Sequence, residues 1–161
     1  MIEVRISKEI LEKSKIRSKK IGIYSNSAGE GEGMLAGVLG EEIVSEYFKT
    51  SLSNTFDYDI IINGLKCDVK TMTTRFNPYK NDINNYWVRV TNPNQKNDLY
   101  IFVFIDITFN YAYLIGWLEH DLFRQQAVFR NKGDFCHGFN YKWSCYEVPV
   151  SILKHFPIIK V

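Results

Sequence analysis

Cysteine is scarce in this chain. There are three, an odd number, and no Cys-x-x-Cys pair occurs. That fits reduced thiols better than a disulfide framework. Cys136, His137 and Cys145 gather near the C-terminal end. A structural zinc site needs four ligands with a close pair among them, so zinc is not expected there. Long apolar runs are also missing, and no membrane-spanning helix is expected. The opening MIEVRISKEILEK lacks the apolar core of a signal peptide, so a cytoplasmic protein is the expectation. Excess charge of one sign is absent too. The net charge of +2 neither requires nor excludes nucleic acid. No repeat recurs at solenoid spacing. The glycines of residues 21–33 are not followed by Gly-Lys-Ser/Thr, which removes a phosphate-binding P-loop and leaves a loop leading into a helix. What remains is a chain with 45% hydrophobic and 24% charged residues, which is globular rather than disordered. Its 161 residues suit one domain, 1–161, with a sizeable core.

The stretch FDYDIIINGLKCDVKT, residues 56–71, organises the rest. Asn63-Gly64 between two apolar, β-branched runs is a strong signal for a two-residue type I′ hairpin turn. That turn sets the register. Ile62 faces Leu65, Ile61 faces Lys66, Ile60 faces Cys67, and Asp59 faces Asp68, with Asp57 and Lys70 nearly opposite further out. Side chains alternate along a strand, so Asp57, Asp59, Asp68 and Lys70 are expected on one side. Directly opposed Cβ atoms lie about 4.5–5.5 Å apart, and like charges there repel. Either the repulsion is relieved at a solvated edge, or a divalent cation sits between the carboxylates with a lysine beside it.

Asp59, followed by Asp68-Val69-Lys70 on the next strand, resembles the PD-(D/E)xK nuclease superfamily. Tyr58 stands where the family's name has proline. The resemblance implies an α/β domain with a restriction-endonuclease-like mixed β-sheet flanked by helices. It also implies a metal-dependent deoxyribonuclease that hydrolyses phosphodiester bonds. The implied cofactor is Mg²⁺, with Mn²⁺ as a substitute, held by Asp59, Asp68 and the backbone carbonyl of Val69, with Glu41 close by. Lys70 would orient the attacking water or stabilise charge on phosphoryl oxygens. The expected partner is nucleic acid, DNA before RNA, and no membrane. A homodimer would suit a double-strand cut. The alternative is a non-catalytic nucleic-acid-binding or partner-binding module on the same fold. A third reading is an unrelated α/β domain whose hairpin charges are surface.

Helical spacing of Leu35, Val38, Leu39, Val44, Tyr47 and Phe48 predicts a helix over 34–49. Gly37 and Gly40 within it each cost about 1 kcal/mol against alanine, so close packing against a sheet is expected. Glu41 borders the buried stripe, while Glu42 should face water. Gly37, Gly40 and Glu41 form a Gly-x-x-Gly-Glu pattern that resembles the first helix of many superfamily members, where an acid reaches the metal. A helix is also predicted over 7–20, with Ile10, Leu11 and Ile16 as a thin buried stripe. Its lysines and Arg17 are either a solvated face or a phosphate-contacting arm.

Gly22-Ile23-Tyr24 spells half of a GIY-YIG nuclease signature, but no Tyr-Ile-Gly follows at the right distance. Residues 72–85 read as a loop in which Arg75 and Lys80 could meet phosphates and Tyr79 could stack. Strands are expected at 86–91, 99–106 and 111–118, the middle one central and covered on both faces. A helix is expected from Glu119 to about Arg130, covering the second face of the sheet. SCYEVPVSILKHF then reads as a strand, a proline break and a short closing helix.

Overall fold

The chain opens with strand β1 (Ile2–Arg5) and helix α1 (Lys8–Ile21). Ser7 caps α1, its Oγ accepting from the Ile10 amide at 3.1 Å and satisfying one of the orphan donors of the first turn. The computed structural model describes residues 1–21, 32–53 and 55–156. The Gly22-Ile23-Tyr24 stretch and the first glycines of the expected loop lie outside the described residues. Helix α2 (Glu32–Tyr47) follows, then strands β2 (Ile60–Ile62) and β3 (Leu65–Thr74).

β2 and β3 form the hairpin that Asn63-Gly64 dictates. Both turn residues hold positive φ, 49° and 82°, as a type I′ turn requires. The ladder pairs Ile62 with Leu65, Ile61 with Lys66 and Ile60 with Cys67. It stops there, while β3 runs on to Thr74. Residues 72–74 therefore belong to a strand and not to the loop expected from their polarity. β3 has a second partner that stabilises its full length. It lies parallel to β5 (Leu99–Asp106), in register from Cys67–Leu99 to Thr74–Asp106.

β6 (Tyr111–Glu119) returns antiparallel to β5, and β1 adds to its far side, giving the order β1-β6-β5-β3-β2. The fold is α/β with a mixed sheet. β5 is central and buried from Leu99 to Ile105, as its unbroken apolar run requires. Leu99, Ile101, Val103 and Ile105 face the helices, packing in one cluster with Leu39, Ile43 and Val44 of α2. Tyr100, Phe102 and Phe104 face the other way.

That second face is covered by a sheet, which corrects the expected helix over 119–130. α3 (His120–Gln126) is short, and Ala127 turns extended. Val128, Phe129 and Arg130, β-branched and aromatic at their start, form β7 (Val128–Arg130). β7 and β4 (Trp87–Val90) flank β10 (Cys145–Pro149) in the order β4-β10-β7. Arg130, expected on a helix, thus lies on a strand. A small hairpin, β8 (Phe135–Cys136) with β9 (Phe139–Asn140), projects between β7 and β10. A 3-10 turn over Val150–Ile152 closes the described chain.

Two helical expectations also change. Ile16 is 58% exposed, and the buried position on α1 is Ser14. Of the two glycines, Gly40 makes the close approach. A Cβ there would lie 2.0 Å from Thr71 Oγ1 and 3.1–3.2 Å from the other two atoms of that side chain, and rotating Thr71 would still leave its Cβ at 3.1 Å. A Cβ at Gly37 meets nothing within 4 Å. Gly40→Ala is expected to destabilise the fold by about 1–3 kcal/mol through overpacking. Gly37→Ala should stabilise it by up to about 1 kcal/mol through helix propensity. Urea denaturation of the two variants would separate them, and equal effects of the same sign would contradict this packing.

Candidate active site

Where β2 ends, the free edge of β3 becomes a site. Asp59 donates its amide to the Cys67 carbonyl at 3.0 Å, the last main-chain bond across the hairpin. Its carboxylate then takes over. Asp59 Oδ2 accepts from the Val69 amide at 2.7 Å, replacing the carbonyl that a longer β2 would supply. A strand residue points its N–H and C=O to the same side, so the Val69 carbonyl also faces this open edge. The Val69 side chain is buried under α2.

Asp68 and Lys70 stand in register with Tyr100 and Phe102, on the face away from the helices. The Asp68 side chain is 3% exposed. Lys70 Nζ lies 2.6 Å from Asp68 Oδ2 as an ion pair, although that oxygen has no well-directed hydrogen bond. Lys70 Nζ also donates to Gln95 Oε1 at 2.9 Å. Gln95 in turn donates Nε2 to the Phe56 carbonyl at 2.8 Å, which fixes the amide's orientation. Asp57 does not join this group. Its Oδ1 accepts from the Lys96 amide at 3.1 Å, because the chain leaves strand geometry before Asp59.

Glu41 approaches from the helix side. The contact between Gly40 and Thr71 brings α2 down onto β3 and sets Glu41 beside the edge. Arg17 Nη2 of α1 holds Glu41 Oε2 at 2.7 Å. Glu42, expected in water, is only 4% exposed, because α1 packs over that side of α2. Lys13 Nζ reaches Glu42 Oε2 at 2.7 Å and Arg17 Nη1 reaches Oε1 at 3.5 Å. Two cations of the presumed phosphate arm therefore serve as counter-charges to α2.

Burial raises the carboxyl of Asp68 to about 7; the Lys70 ammonium opposes this and the Asp59 charge adds to it. Burial and then the Asp59 charge push Glu41 up to about 8, against the pull of Arg17. Asp59 is also raised by burial, although the Val69 amide and Lys70 work against it. Scarce water is the first reason each group resists ionisation, and the Asp59 charge adds to it at Asp68 and Glu41. Against these three carboxyls the described residues set Lys70 and Arg17, and Arg17 is shared with Glu42.

Hard oxygen donors short of positive charge are what a divalent cation such as Mg²⁺ selects. Asp59, Asp68 and the Val69 carbonyl are the groups that could hold one. Among the described residues, no three His, Cys, Asp or Glu side chains converge as a ready-made metal centre. Glu41, tied to Arg17, stands beside the pair. Arg75, Tyr79 and Lys80 are exposed but lie beyond the far end of β3. From Lys70 to the end of β3 at Thr74 the strand alone spans about 13 Å. Cys136, His137 and Cys145 are likewise elsewhere, on and beside the second sheet.

Two residues of the site carried no such signal in the sequence. Gln95 sits in a polar turn, and only folding brings that turn against Lys70. Arg17 looked like one of several surface cations. Its spacing of four from Lys13 puts both on one helix face, which is the trace that pairing with α2 leaves. The chain matches no known protein-family model and no curated protein sequence.

The raised carboxyls make stability depend on pH. Asp and Glu titrate near about 4 when unfolded. Folded, Asp68 titrates at about 7 and Glu41 at about 8. The folded state binds the extra protons, so this contribution is full below about pH 4 and is lost as pH rises through 7 and 8. In EDTA, the urea midpoint should fall between pH 5 and pH 9, and Asp68→Asn should flatten that fall. A wild-type profile as flat as the mutant's would contradict the burial of these groups.

Proposed function

We propose that the protein is a metal-dependent nuclease that hydrolyses phosphodiester bonds in DNA, built on a restriction-endonuclease-like variant of the α/β fold. One observation carries the reading: Asp59 and Asp68 meet at the open edge of β3 with Lys70 ion-paired to Asp68. The sheet is compatible with it, since a β2–β3 hairpin is followed by parallel β5 and antiparallel β6 under one long helix.

In this reading Asp59, Asp68 and the Val69 carbonyl hold Mg²⁺, or Mn²⁺ in its place, with Glu41 close by. A divalent cation bound there supplies Lewis-acid polarisation of the scissile phosphate and lowers the pKa of a bound water. Lys70 is already aimed at the same point. On release from Asp68 its ammonium can donate to a phosphoryl oxygen or orient the attacking water, stabilising charge that develops in the transition state. Gln95 keeps Lys70 within reach of that position through its 2.9 Å hydrogen bond. Glu41, held by Arg17, stands behind the pair and would ionise more readily once a cation is bound. A non-catalytic nucleic-acid-binding or partner-binding module is the second reading. The direct Lys70–Asp68 ion pair favours it, because the ammonium balances the carboxylate without a metal ion.

The test is incubation of the protein with labelled linear, circular, single-stranded and branched DNA, in Mg²⁺ or EDTA. Cleavage should require the metal. Asp68→Ala and Lys70→Ala should abolish it while circular dichroism stays native. Gln95→Ala should slow cleavage with less effect on substrate affinity, since it positions Lys70. Full activity in either of the first two variants would refute the assigned roles. Millimolar Mg²⁺ should also raise the urea midpoint at pH 9 in wild type and not in Asp59→Ala. The binding-module reading expects no cleavage and no such rise.

A further inference from the structure

The second sheet carries a built site that cleavage chemistry does not use. Its hub is Glu147 on β10, which is fully buried. Glu147 Oε1 accepts from Arg130 Nε at 2.7 Å and lies 3.0 Å from His137 Nε2. Oε2 accepts the Tyr141 hydroxyl, with Arg89 Nε at 3.5 Å. Burial works to raise this carboxyl, but the hydrogen bonds from Tyr141, Arg130 and His137 outweigh it and hold the group below the usual range. A buried charge with this many donors orders every side chain that reaches it.

Arg89 and Tyr141, held by this carboxylate, pack with Phe139 into a wall of one cation and two rings. The Arg89 guanidinium lies 4.5 Å from the Phe139 ring centre and 5.0 Å from that of Tyr141. The Phe139 and Tyr141 rings are 4.9 Å apart. Beside this wall is a cavity of about 330 Å³, whose lining includes Arg89, Thr91, Phe139, Tyr141, Lys142 and Trp143. Trp143 is 51% exposed at its rim. Among the described residues, no carboxylate lines the cavity. Aromatic faces interleaved with cations suit a planar ring attached to an anion.

The cavity also lies near the carboxylate edge along the chain. Thr91 is four residues before Gln95, the residue that holds Lys70. A fully extended chain of that length spans at most about 14 Å. That is about four nucleotides at the ~3.4 Å rise of a stacked strand.

We propose that this pocket seats a base of single-stranded nucleic acid, its ring stacked on Trp143 and Phe139 and its phosphates against Lys142 and Arg89, a few nucleotides from the Asp68–Lys70 edge. Its position relative to a scissile bond rests on the nuclease reading, while the binding itself does not. Cations and the absence of acids favour a polyanion over a protein partner, and the aromatic rim favours exposed bases over a paired duplex, whose bases present no free face.

The experiment uses the full chain in EDTA with three fluorescent probes: a short oligothymidylate, the same strand paired to its complement, and a strand of equal length made of abasic sites. The oligothymidylate should bind more tightly than either of the others. Trp143→Ala should weaken its binding about tenfold, with native circular dichroism, and Trp143→Phe should restore most of the affinity. Equal affinity for the abasic strand, a preference for duplex, or wild-type affinity in Trp143→Ala would overturn the pocket. The two readings fail separately. Base-dependent binding without cleavage in Mg²⁺ leaves the pocket standing and removes the nuclease. Cleavage with Trp143-independent binding does the reverse.

Discussion

The hydrogen bond from the Val69 amide to the Asp59 carboxylate is the constraint from which the rest of the site follows. A strand edge in a protein interior must satisfy its amides. Had β2 continued past Ile60, a carbonyl would have done so and the edge of β3 would have been sealed. Because a carboxyl side chain does it instead, the edge stays open and carries an oxygen donor. Side chains then approach this edge from three directions. Asp59 lies in the plane of the sheet, Asp68 and Lys70 rise on one face, and Glu41 arrives from the helix on the other. A longer hairpin would have kept the acids apart.

The cost of that convergence is spread through the helical layer. Carboxylates with little water around them resist charge unless cations or donors stand by. Arg17 and Lys13 answer part of this on α1, which explains why a helix with so few apolar residues packs firmly on α2. Gly40 is the steric counterpart. Without a side chain there, α2 can approach Thr71 closely enough for Glu41 to feel Asp59. The helix pair is thus an electrostatic support for the edge as well as a cover for the core.

On the opposite face, a different solution handles a buried acid. Glu147 has hydrogen-bond donors on both oxygens and stays ionised, whereas Asp68 has a single ion pair and is pushed toward neutrality. The first arrangement is finished and rigid. The second is short of positive charge, and it is the one that a bound cation would complete.

The turn and its three inner pairs were legible in the sequence because a two-residue Asn-Gly turn fixes register. The expected Asp59–Asp68 pair and its shared face were not formed, since the ladder ends at Ile60 and Asp59 bonds along the β3 edge instead. The central strand at 99–106 was legible because a run that is apolar on both sides fits only a sheet covered on both sides. Gly40 announced a close approach by being costly in a helix. What could not be read depends on partners distant in the chain. The burial of Glu42 was set by α1 docking on that side of α2, and the departure of Asp57 by the Lys96 amide. Gln95 was recruited by a turn that folds back on Phe56. The division of residues 119–130 into helix and strand was decided by β10, which needed a neighbour for its second edge. Local rules determined which residues alternate and where the chain turns. Only the packed structure decided which charges share one dry space, because that depends on which surfaces dock and how much water they leave.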